Sequence, residues 1–135
     1  MAWTQARQTF IDARLRNPQS LPAPVSLPER VVGSDETVYE YLICTEKASY
    51  FPVLVVTNRG IVYTEYKTIR GWRVAEHVPA QAVAGAAYEK RWITGRIHVY
   101  QHDGGGFSVK TRLGEENVEW AMHLVDLMNR LSTAR

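Results

Sequence analysis

The chain predicts a mostly β protein with a helix at each end, and three patterns predict it. Between Thr37 and Thr111 the sequence breaks into short runs rich in Val, Ile, Thr and Tyr, divided by glycine, proline and asparagine. After Gly114 the apolar residues recur at helical spacing instead. Before Asn17 a shorter stretch shows the same helical spacing and is then cut off by proline. About seven strands in an antiparallel meander, followed by one amphipathic helix, satisfy all three patterns.

The first segment, Trp3 to about Arg16, carries Trp3, Ala6, Phe10 and Ala13 on one narrow stripe. Asn17-Pro18 ends it, because proline disfavours helical geometry in the residue before it. The following NPQSLPAPVSLP holds four of the chain's six prolines and predicts an extended, stiff linker. Residues 1–28 therefore read as an N-terminal helix plus linker, and residues 29–135 as the compact domain.

The first predicted strand is TVYEYLIC, Thr37 to Cys44. VLVVT and IVYTEYK follow as a hairpin, with Asn58-Arg59-Gly60 allowing a tight reversal. Arg70-Gly71 breaks the chain before WRVAEHV, and Pro79 stops that strand because it cannot donate to a ladder. AVAGAAYEK fits a strand or a helical turn. WITGRIHVY alternates, placing Ile93, Ile97 and Val99 on one face and Arg96, His98 and Tyr100 on the other. Asp103 to Gly106 is a turn, and FSVKT places Phe107 and Val109 on one side. The final helix opens with Glu115 and Glu116 at the positive end of its dipole. Its stripe is Val118, Ala121, Met122, Val125 and Met128, joined by Leu124 and Leu131, with the two methionines read as core.

A length of 135 residues suits one domain with one core. The composition, 45% hydrophobic and 22% charged, is that of a soluble globular chain. No apolar run approaches the roughly 18 residues that cross a bilayer, and no secretory leader is visible. These features place the expectation in the cytoplasm. The single cysteine, Cys44, sits in an apolar run and reads as a buried thiol.

A net charge of +2 does not by itself indicate nucleic acid. The charge is uneven, however: from Lys47 to Arg112 there are ten basic residues against Glu65, Glu76, Glu89 and Asp103. Arginine outnumbers lysine twelve to four, which is compatible with a GC-rich bacterial genome.

No catalytic constellation emerges. His98 and His102 stand four residues apart, which on a strand is roughly 13 Å and too far to share a zinc ion unless the turn folds His102 back. Cys44 in a hydrophobic strand is a poor nucleophile. Lys110-Thr111 follows Val109, where a phosphate-binding loop requires glycine. The expectation is a chain without enzymatic activity, cofactor or metal.

Several stretches carry a resemblance. LPERVVGSDETV, LVVTNRGIVYTE, HVPAQAVAGAAYEK and GRIHVYQHDGGGFSVKT are similar to successive segments of small bacterial pleckstrin-homology-like and GRAM-like domains, over Leu27 to Leu131. The resemblance implies a partly open antiparallel barrel of about seven strands, capped by the C-terminal helix, and a role in binding. The N-terminal helix and linker are outside the usual pattern. Lipid-binding members carry several cations in the loop after the first strand. Here that loop, TEKASYF, offers only Lys47.

Two candidate sites follow. Arg96 and His98 share a strand face, as do Lys110 and Arg112, and with Lys90 and Arg91 they outline a basic surface. Trp3 and Phe10 are candidate anchors for a partner or a membrane. The first functional expectation is a non-catalytic interaction module that binds a protein partner or itself through strand edges and the N-terminal helix. The alternative is peripheral binding to anionic lipid through the basic face and that helix, which also bears Arg7, Arg14 and Arg16. Nucleic acid is not expected.

Overall fold

The first helix, α1 (Gln5–Arg16), begins at a threonine and ends at an asparagine for identifiable reasons. Thr4 Oγ1 accepts the Arg7 N–H at 3.1 Å, and the Asn17 N–H donates to Ala13 O at 2.9 Å. The computed structural model describes residues 3–17, 27–45, 52–67 and 71–133. A short helix α2 (Leu27–Val31) is followed by β1 (Val38–Ile43), β2 (Val53–Thr57), β3 (Gly60–Lys67) and β4 (Gly71–Pro79). A 3-10 turn (Ala80–Ala82) leads to β5 (Val83–Lys90), β6 (Gly95–Gln101), β7 (Gly106–Thr111) and the long helix α3 (Glu115–Thr133).

The strands form two antiparallel sheets, β1-β2-β3-β4 and β5-β6-β7, rather than one continuous meander, and the sheets do not close into a barrel. The break falls where Pro79 removes a donor and the 3-10 turn redirects the chain. There the Ala80 N–H donates to Arg59 O at 2.8 Å instead of extending a ladder. At another corner the sheets touch, with Thr45 N–H donating to Lys110 O at 3.0 Å. In the β2–β3 reversal a side chain at Gly60 is sterically excluded: a Cβ there would sit 2.2 Å from Val78 O.

Two cores lie on opposite faces of β1 and β2. The larger one joins Leu42, Cys44, Leu54, Val56 and Ile61 to Ile97, Val99 and Val109 of the other sheet, and to Ala121, Leu124 and Met128 of α3. The smaller one packs Phe10 and Ala13 of α1 and Leu27 of α2 on Val38, Tyr41, Ile43, Val53 and Val55. A β-bulge at Tyr39 makes this possible. The inserted residue leaves Val38 facing α1 together with Tyr41 and Ile43. Glu40 then shares the α3 side with Leu42 and Cys44.

Several expectations are corrected here. Leu27 and Pro28, placed in an extended linker, belong to α2, where proline is tolerated in the first turn and Leu27 is buried. Residues 18–26 lie outside the described residues. Ile93 does not join the buried face of β6, because it falls in the turn before that strand and is 85% exposed. Met122 is 57% exposed, while Met128 is fully buried. Trp120, absent from the predicted stripe, packs at the margin of the larger core. AVAGAAYEK resolves as a strand, held on its outer edge by α3. Asn129 Oδ1 accepts the Ala86 N–H at 2.8 Å, and Asn129 Nδ2 donates to Ala86 O at 3.1 Å.

Candidate functional site

The basic surface grows from the register of the second sheet. Arg96 pairs across β6–β7 with Lys110 and across β5–β6 with Glu89, while Lys90 and Thr111 flank Gly95. Arg91 N–H donates to Thr94 O at 2.9 Å and closes the turn between β5 and β6. Glycine suits position 95, since a Cβ there would lie 2.3 Å from Tyr88 Oη and 2.6 Å from Thr111 Oγ1. Lys90, Arg91, Arg96, Lys110 and Arg112 therefore gather at one end of this sheet. His98 stands further along β6.

At that end the turn carries two residues that ordinary packing would hide. Trp92 is 98% exposed and Ile93 85% exposed, because the turn projects past the last ladder rung between Lys90 and Gly95. The cations around them are partly organised by one acid. Glu89 Oε1 meets His98 Nε2 at 3.0 Å and accepts from Arg91 Nη2 at 3.1 Å. The His98 hydrogen bond, followed by that of Arg91, holds the Glu89 carboxyl below the usual carboxylate range. His98 Nδ1 contacts Ser108 Oγ at 2.6 Å, and its ring stacks on Tyr100. Arg96 Nε is buried and has no hydrogen-bond partner among the described residues. The sequence listing of cations thus lacked Glu89, whose membership depends on a register that a four-residue turn sets.

Of the two candidate anchors, only Trp3 presents surface, at 57% exposure. Phe10 is fully buried, its ring edge-on to Tyr41 with centroids 5.1 Å apart, so it is spent on the chain's own sheet rather than on a partner or membrane. Lys47 lies outside the described residues.

A second feature went unread in the sequence. The end of α1, β1 and α3 enclose a cleft of about 380 Å³ with Glu40 in its wall, adjoined by one of about 310 Å³ that shares Arg16, Glu40 and His123. Glu40 is only 1% exposed. Its Oε1 accepts the Tyr41 N–H at 3.2 Å and Asn17 Nδ2 at 3.4 Å, whereas Oε2 lies 3.8 Å from His123 Nε2. Burial pushes the Glu40 carboxyl up, partly offset by the Tyr41 and Asn17 hydrogen bonds and by the charges of Arg16 and His123. The available signal was an acid inside the otherwise apolar run VYEYLIC, on a strand covered on both faces.

Among the described residues, no group of three or more His, Cys, Asp and Glu could hold a metal ion. No described helix is long and apolar enough to cross a membrane. No protein-family model matches the chain, and no curated protein matches it.

Proposed function

We propose that this chain is a non-catalytic docking module, built on a pleckstrin-homology-like plan, that attaches to anionic membrane surfaces through the β5–β6 turn. The exposed pair Trp92–Ile93 within a group of five cations carries the reading. A tryptophan is favoured at the headgroup level, where its ring is apolar and its N–H stays wet. Each nearby Lys or Arg adds about 1 kcal/mol of attraction to an anionic leaflet. The two-sheet arrangement with a C-terminal helix over the larger core supports the architectural part of the proposal.

Vesicle co-sedimentation tests it. The wild type is expected to bind vesicles containing about a third anionic lipid, to leave neutral ones unbound, and to dissociate as salt rises. The double variant W92S/I93S is expected to lose binding with an unchanged melting temperature. Equal binding by the variant, or equal binding to neutral vesicles, overturns the reading.

A specific observation favours a second mode, capture of a protein partner or of another copy of the chain. β4 ends its sheet, and Arg73, Val74, Ala75, Glu76 and His77 are all exposed. An edge strand of this kind accepts an added strand through its backbone. α1 takes no part in this mode, because Ala6, Phe10 and Ala13 are committed to the chain's own fold. Light scattering separates the two modes: a concentration-dependent dimer abolished by Val74→Pro supports strand addition, and a monomer at all concentrations removes self-association.

A further inference from the structure

The cleft beside Glu40 lies between α1, β1 and α3 rather than at the β5–β6 turn, and it has the chemistry of a small-molecule site. Its volume of about 380 Å³ falls within the range that holds a small ligand. One wall is apolar, formed by Tyr39, Leu127 and Leu131. The Glu40 carboxylate belongs to a residue that is 1% exposed; its Oε1 accepts from Tyr41 and Asn17, and its Oε2 lies 3.8 Å from His123 Nε2, beyond hydrogen-bond length. Because Glu40 lines the cleft, a cationic donor arriving there can bond its carboxylate and offset part of the cost of burying that charge. Two guanidinium groups line the same space. Arg16 Nη2 donates to Tyr39 O at 2.7 Å, and Arg130 pairs with Asp126 at 2.6 Å.

We propose that this cleft binds a small zwitterion with an apolar body, of the class of a hydrophobic amino acid or dipeptide, with its ammonium on Glu40 and its carboxylate toward Arg16 and Arg130. The distribution of charge selects the class. A simple amine would satisfy Glu40 but bring a further positive charge beside two guanidinium groups. A simple carboxylate would suit the arginines but meet the buried acid. A molecule carrying both charges on a short apolar frame answers all three groups, and its side chain lies along Leu127 and Leu131.

Three probes that differ only in their charged ends decide the matter: L-phenylalanine, phenethylamine and 3-phenylpropionate. Each is titrated into the full chain and followed by backbone amide and Trp120 indole resonances. Phenylalanine is expected to produce saturable shifts at Trp120, His123 and Leu127, with the two single-charge probes at least tenfold weaker. Glu40→Gln is expected to weaken phenylalanine tenfold or more, and Arg130→Gln, at an exposed position that leaves folding intact, severalfold. The proposal fails if no probe gives saturable shifts at these residues. It fails equally if either single-charge probe binds as tightly as phenylalanine, or if both variants bind like the wild type. The comparison of the three probes on the wild type stands without any variant.

Discussion

Glu40 is a carboxylate that the fold holds more comfortably as a neutral acid. Its folded-state pKa is raised above the unfolded value of 4.5, chiefly by burial. The corresponding stability is therefore fully present below that pH and is lost as pH rises through the raised value. Glu40→Gln keeps the shape and cannot ionise. Urea denaturation is expected to find the variant ahead of the wild type at about pH 8, with the gap shrinking toward pH 4.5. A variant less stable at pH 8 would mean that the bonds from Tyr41 and Asn17 to the ionised group outweigh its desolvation. Cys44 offers a simpler residue-scale outcome. Burial drives its thiol up to about 12, so the sulfur is both covered and protonated at neutral pH. Thiol reagents at pH 8 are expected to leave the native chain unmodified and to label it stoichiometrically once urea unfolds it. Rapid native labelling would contradict the packing of β1. The apolar setting of Cys44 was plain from its neighbours in the sequence. The special position of Glu40 was not, because a lone acid in a strand reads as solvent-facing until a second layer is known to cover that face.

At the scale of elements, the contact between α3 and β5 is made by a side chain acting as a missing strand. Asn129 both accepts from and donates to Ala86, satisfying the backbone N–H and C=O of one residue on the open edge of β5. Replacing Asn129 by alanine leaves both of those backbone groups without their partner and is expected to cost about 1–3 kcal/mol in denaturant unfolding. A loss below about 0.5 kcal/mol would show that water replaces the amide without penalty. All the strands but β5 were legible, from apolar, β-branched and aromatic runs bounded by proline, glycine or asparagine. β1 to β4, β6 and β7 follow from that patterning, and α1 and α3 follow from their helical spacing. α2 was not legible: five residues containing a proline carry too little periodicity to distinguish a helical turn from a linker. The division into two sheets was also hidden, since Pro79 marks where a ladder stops but not that the next strand joins another sheet. Ile93 was misplaced for a related reason, because alternation extends smoothly into a turn that strand pairing has already left.

At the scale of the whole molecule, the outer face of β1 and β2 is core because α1, with α2 beside it, covers it. Val38, Tyr41, Ile43, Val53 and Val55 all pack on that side. A chain lacking residues 1–17 uncovers a contiguous apolar patch of the kind that drives association. It is expected to elute as aggregate on size exclusion and to lose its cooperative thermal transition; a monomeric, cooperatively melting product would make α1 an ornament. The general plan of strands closed by a terminal helix was visible in the sequence, as was the basic bias of its middle. The places where function is proposed were visible only as fragments, because each depends on residues that distant segments bring together. The bulge at Tyr39 also bears on descent. Dropping that residue would restore plain alternation and leave Val38 and Glu40 on the sides they now occupy. A shortened lineage would thus keep both coats of β1, but it would lose the Tyr39 ring from the cleft wall and the carbonyl that tethers Arg16. A one-residue deletion at this point is thus expected to reshape the cleft while leaving both cores of β1 in place.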